Sequence, residues 1–76
     1  MLDHDDDQNL FIELKALRMN IAKENNIPPY VVFHDKTLIE IVLNKPSNLI
    51  AMATIPGIGQ SKLEKYGQIF LDKIQE

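Results

Sequence analysis

From residue 8 onward, apolar positions recur with helical spacing. Leu10, Leu14, Leu17 and Ile21 stand at i, i+4, i+7 and i+11, which aligns them along one stripe of a helix. Ile12, Ala16 and Met19 form a second apolar strip roughly opposite, so this first helix is expected to be sandwiched between other elements. Its polar flank carries Lys15 and Arg18. Asn25-Asn26 and then Pro28-Pro29 end it, because proline cannot donate the helical hydrogen bond and biases its predecessor to extended geometry.

The run Tyr30 to Phe33 is apolar enough for a strand but has no evident pairing partner, and it reads as a short turn or helical connector buried in the core. Asp35 suits the N-cap of a second helix over 36–44, with Leu38, Ile41 and Val42 inward and Lys36 and Glu40 outward. Lys45 complements the negative end of that helix and Pro46 blocks its continuation. Ser47 then caps a third helix through about residue 53, burying Leu49, Ile50 and Met52. A final helical stretch over 60–74 carries Leu63, Tyr66, Phe70 and Ile74. Gly67 within it marks a break or a close approach between helices. The pattern therefore predicts an all-α fold, a single compact bundle of about five short helices.

Composition narrows this further. A chain of 76 residues without cysteine must stabilise itself by packed apolar faces, with no disulfide or thiolate metal site to help. No apolar run approaches the ~20 residues of a membrane span, and the acidic opening is unlike a signal peptide. The formal charge of −3 is unevenly spread: residues 1–7 hold Asp3, Asp5, Asp6 and Asp7 and no base. They read as an acidic flexible linker end. Residues 8–76, the expected folded domain, hold seven acids against eight bases, a net of +1.

Catalysis finds no support. His34 adjoins Asp35, but neighbours in sequence point in different directions and make no dyad. Ser47 and Ser61 fall at helix starts, where capping is their ordinary role. His4 with a nearby aspartate reads as exposed leader rather than a metal site, since a metal needs ligands held in geometry. The expectation is a chain that is no enzyme in itself, with no cofactor and no metal.

Two features fit nucleic acid. In Ile55-Pro-Gly-Ile-Gly59, a tight turn between helices aims the unpaired N–H groups of the second helix outward, where a phosphate can sit; Gly57 and Gly59 would be the backbone contacts, with Lys62 and Lys65 following. The alternative is a connection that merely packs, and both readings stand. Tyr30 follows a diproline that can present its ring rigidly to a base. Alternatively the ring fills the core with its hydroxyl at the edge. Lys15, Arg18, Lys36, Lys62 and Lys65 would be the accompanying cations, and the small net charge implies weak, salt-sensitive affinity.

The order of these pieces is informative: Leu10-Phe11 with Leu14 and Leu17-Arg18, Ile27-Pro-Pro-Tyr-Val-Val-Phe33, Asp35-Lys-Thr-Leu38, Ile55-Pro-Gly-Ile-Gly59 and Lys62-Leu-Glu-Lys-Tyr-Gly67. Over residues 8–76 it resembles an HRDC domain, the helicase-and-RNase-D C-terminal module, and more nearly its RecQ branch. The resemblance implies a five-helix bundle serving a RecQ-type, ATP-dependent 3′-to-5′ DNA helicase as an accessory without ATPase motifs. It implies weak contact with single-stranded or structured DNA, through an aromatic at Tyr30 and a basic surface at Lys15, Arg18 and Lys36. A monomer working in the cytoplasm at the nucleoid, or in a eukaryotic nucleus, is the matching expectation. Two alternatives remain. One is a protein-interaction module docking on the helicase core or a partner through apolar residues such as Ile12, Met19 and Met52. The other is an RNase D accessory module for RNA.

Overall fold

The computed structural model describes residues 5–76, and His4 lies outside them. Helix α1 spans Asp5–Asn25. The Leu10, Leu14, Leu17, Ile21 stripe faces the core as expected, with Leu14 and Ile21 buried and Leu10 and Leu17 half-buried. Residues 5–7, expected in the linker end, instead form the first turn of α1. There Asp7 pairs with Lys45 at 2.6 Å, which tethers the start of α1 to the end of the third helix.

The end of α1 is a cap built without glycine. Asn26 adopts a left-handed φ of 56°, its N–H donates to the Lys23 carbonyl, and the Ile27 N–H donates to the Ala22 carbonyl. This paired 5→2 and 6→1 closure satisfies the last carbonyls of the helix and turns Ile27 back onto the core. Asparagine tolerates the conformation because its short polar side chain suits local bonding.

The chain then makes one helical turn, α2 (Pro29–Val32), with Pro29 at the first position, where a missing N–H costs nothing. Val32 and Phe33 are buried, but Tyr30 and Val31 are exposed, so only half of the apolar run enters the core. Helix α3 spans Asp35–Asn44. Its N-cap is His34 rather than Asp35, which enters the first turn; Leu38, Ile41 and Val42 are buried as expected, and so is Thr37. Lys45 closes the helix at a φ of 42°, with its N–H on the Ile41 carbonyl and its Nζ on the Val42 carbonyl.

Helix α4 (Leu49–Met52) is shorter than expected, and its cap is Asn48, whose side chain accepts from the Ala51 N–H, not Ser47. Only Met52 is buried; Leu49 is partly exposed and Ile50 is 82% exposed. A turn through Ile55 and Ile58, both buried, leads to α5, a continuous helix over 60–74. It consists of one turn Gln60–Lys62, a wider π-helical turn Leu63–Gly67 and the α-helical segment Gln68–Ile74. The extra residue of the π turn coincides with Gly67, where an added Cβ would stand 3.0 Å from Leu63 Cδ1 and 3.1 Å from Leu49 Cδ2. Of the two expectations for this glycine, the close approach holds, with Leu49 of α4, whereas the helix does not break but continues through a π turn.

The core centres on Phe33, whose ring meets Phe70 edge-on at 5.0 Å and Tyr66 edge-on at 5.9 Å. Helix α1 packs against α2, α3 and the last segment of α5. These partners cover chiefly its Leu14 and Ile21 stripe. Its second apolar strip is left in water, with Ile12 64% exposed and Ala16 and Met19 also exposed, so the expected sandwich does not form. The five helices give an all-α fold of 32 × 24 × 21 Å, and the described residues contain no strand.

Candidate nucleic-acid interface

The corner between α2 and α3 presents Tyr30 at the surface. Pro28, in extended geometry, and Pro29 fix the backbone before it, while the buried Val32 and Phe33 fix it behind. With little freedom left in the main chain, the ring stands 59% exposed rather than in the core. It stacks on His34 at 6.0 Å with 29° between the planes. His34 is itself held by the start of α3, where its carbonyl accepts from the Leu38 N–H.

A shallow groove runs beside this pair, lined by Arg18, Pro29, Tyr30, His34, Asp35 and Lys36. A second groove shares His34 and Lys36 with it and continues along Thr37 and Glu40 to Pro56 and Gly57. The tertiary fold therefore brings Tyr30, Lys36 and the Pro-Gly turn to one face. Gly57 has a φ of 92° and lies so close to α3 that a Cβ there would overlap Thr37 Oγ1; Thr37 reaches the Pro56 carbonyl at 3.5 Å. Gly57 is thus required by packing. Gly59 has a φ of −82° and open space around it, and it caps α5 with no side-chain cap bond.

The other expected cations separate into different surroundings. Arg18 is only 8% exposed: its Nη1 donates to the Phe33 carbonyl at 2.9 Å and faces Asp35 Oδ1 at 2.7 Å, and its Nε is buried with no hydrogen-bond partner among the described residues. Its charge is spent inside the fold. Arg18 follows Leu14 by four residues and precedes Ile21 by three, so the spacing itself places it on the buried stripe. Lys15 is exposed, with its Nζ 5.4 Å over the Phe11 ring, and does not line the Tyr30 groove. Lys65 lines a separate groove with Val31, Tyr66 and Ile69, between α1 and α5. Lys62 sits half-buried in the first turn of α5.

The groove thus offers a stacking surface with a modest local charge, and nothing that resembles a reaction centre. Among the described residues, no three histidine or acidic side chains gather as metal ligands. His34 and Thr37 line these grooves without having been binding candidates in the sequence, and nothing local signals either, since the chain is extended at Phe33 and His34.

Comparison with known proteins agrees with this architecture. A profile of the HRDC domain matches residues 7–74. The chain is 49% identical over 70 residues to the ATP-dependent DNA helicase RecQ of Haemophilus influenzae, covering 92% of this chain and 11% of that protein. It is 46% identical over 71 residues to the ATP-dependent DNA helicase UvrD2 of Mycobacterium tuberculosis, covering 93% of this chain and 10% of the helicase. The solved D. radiodurans RecQ HRDC domain 3 superposes with a TM-score of 0.87 at 33% identity, over 91% of each chain. The chain spans about a tenth of the length of the curated helicases it matches, whose catalytic core lies outside this region. With nearly every residue matched and the five-helix fold shared, the chain belongs to the HRDC family of accessory, non-catalytic domains.

Proposed function

We propose that this HRDC domain is the DNA-contacting accessory of a RecQ-like, ATP-dependent 3′-to-5′ DNA helicase, binding single strands or structured DNA weakly and so influencing which substrates the helicase handles. The observation that carries the reading is the exposed, backbone-locked Tyr30 ring beside the free-standing Lys36. An aromatic face accepts any base, and the ammonium takes the adjoining phosphate. Both helicase groups among the relatives, RecQ and UvrD2, carry the name ATP-dependent DNA helicase, which supports a parent of that class. In a bacterial cell such a module would work at the nucleoid.

The test is a fluorescence-anisotropy titration of a rhodamine-labelled oligo-dT with the full chain at low salt. Tyr30→Ala is expected to weaken binding by about 1–3 kcal/mol, the contribution of one stacked base. Lys36→Ala is expected to lower the salt slope by about 0.7, one phosphate contact on a single strand. Binding that neither substitution changes would remove the reading.

A docking role has its own support. Ile12, Met19 and Ile69 are exposed, and a groove between α1 and α5 is lined by Ala16, Leu17 and Ile69. In that case the domain would bind the parent helicase core when added in trans, and Met19→Asp would abolish the interaction while leaving oligonucleotide binding intact.

A further inference from the structure

In the sequence His34 has no role beyond a rejected dyad with Asp35, yet the fold stacks it on the exposed Tyr30 ring. We infer that His34 is a second DNA contact, whose imidazole extends Tyr30 into a two-ring ledge for single-stranded DNA. The inference rests on the proposed role of Tyr30 and adds a residue to it.

The ledge is built, not incidental. Both rings are exposed, their centroids are 6.0 Å apart and their planes are 29° from parallel. Each is held by backbone on both sides: Tyr30 by the diproline and Val32, His34 by buried Phe33 and by the Leu38 N–H on its carbonyl. A base stacked on one ring therefore has a second flat surface next to it.

The charges around the pair leave room for a DNA strand. The Arg18 guanidinium lies 2.7 Å from Asp35 and is neutralised by it. Lys36 and Glu40 are opposite in sign, and Pro56 and Gly57 carry no charge. With the fixed charges nearly cancelled, ring faces rather than ion pairs are what this corner offers a base.

The experiment titrates rhodamine-labelled oligo-dT with the full chain at low salt for wild type, His34→Ala, His34→Phe and Tyr30→Ala. His34→Ala is expected to lose roughly 5-fold or more, the low end of one stacked base, while His34→Phe, which keeps a flat ring, should stay within about 2-fold of wild type. Equal losses in His34→Phe and His34→Ala overturn the inference. Binding that depends on Tyr30 but ignores His34 also overturns it, and leaves the proposed function standing. Absence of wild-type binding overturns both. Far-UV circular dichroism separates loss of contact from loss of fold.

Discussion

Arg18 on α1 donates from Nη1 to the Phe33 carbonyl at 2.9 Å, and the same nitrogen faces Asp35 Oδ1 at 2.7 Å. One side chain thereby holds the corner where α2 passes into α3, directly under the Tyr30–His34 ledge. The bond serves the carbonyl of an extended residue just past α2, which the full burial of Phe33 keeps from water. Arg18→Leu leaves that acceptor without a partner and is expected to cost about 1–3 kcal/mol. For a domain of this size the thermal midpoint should fall by roughly 5–20 °C. Arg18→Lys should recover only part of this, because one ammonium cannot reproduce the guanidinium fork. Melting curves followed by circular dichroism decide it; a midpoint unchanged in Arg18→Leu would show that the corner does not depend on this bond.

The two glycines of the Ile55–Gly59 turn are expected to respond differently to alanine. Gly57 combines a positive φ of 92° with a position where a Cβ overlaps Thr37 Oγ1, whereas Gly59 has ordinary backbone geometry and open space. Gly57→Ala should cost about 1–3 kcal/mol, from strain in a sparsely populated conformation together with the clash. Gly59→Ala should stay within about 0.5 kcal/mol. Adding Thr37→Ala to Gly57→Ala removes the overlapping oxygen but not the strained φ, so rescue should be partial. Urea denaturation of the three variants measures this, and equal stability of the two single variants would contradict it.

Gly67 and Leu49 should show the same logic inside a helix. Exposed helical glycine gains up to about 1 kcal/mol when replaced by alanine. Here the sign should reverse, since the new methyl would stand 3.1 Å from Leu49 Cδ2 and 3.0 Å from Leu63 Cδ1. Gly67→Ala is expected to be destabilising by roughly 1 kcal/mol, the lower end of overpacking costs. In a double-mutant cycle with Leu49→Ala, which opens that space, the coupling should be favourable. Strict additivity in the cycle would show that α4 yields without cost.

Helix α4 provides a direct contrast between neighbours two residues apart. Met52 is fully buried while Ile50 is 82% exposed. Met52→Ala is expected to cost about 2–5 kcal/mol, as truncations in a packed core do. Ile50→Ser should shift stability by less than about 0.5 kcal/mol. The same small effect is expected for Met19→Ser on α1. Thermal denaturation of the three variants suffices, and a large loss in Ile50→Ser would mean that α4 rolls in solution to bury that side chain.

Much of the architecture was legible before any coordinates. The Leu10, Leu14, Leu17, Ile21 stripe, the inward set Leu38, Ile41, Val42 and the stops at Asn26 and Pro46 all follow from local geometry. Spacing sets which side chains share a helix face, and proline and left-handed residues set where a helix ends. The order of short motifs was enough to indicate the family. For the interface, the diproline before Tyr30 left open whether its ring is presented or buried; the fold leaves it exposed, with Lys36 lining the same groove.

What spacing reports, however, is which faces are apolar, not which faces are covered. Ile12, Ala16 and Met19 are arranged as regularly as the true core stripe, yet all three are exposed. Ile50 looks as apolar as Met52, but a helix of one turn has room to bury only one edge. Arg18 reads as a surface cation by its chemistry, and only the arrival of the Phe33 carbonyl from 15 residues away gives a buried guanidinium something to hold. The left-handed turn at Gly57, the meeting of Gly67 with Leu49 and the stacking of His34 on Tyr30 likewise depend on how elements come to rest against one another. Periodicity is a property of neighbours along the chain and was there to be read; occupancy of a face is a property of distant segments, which had to be folded together before it existed.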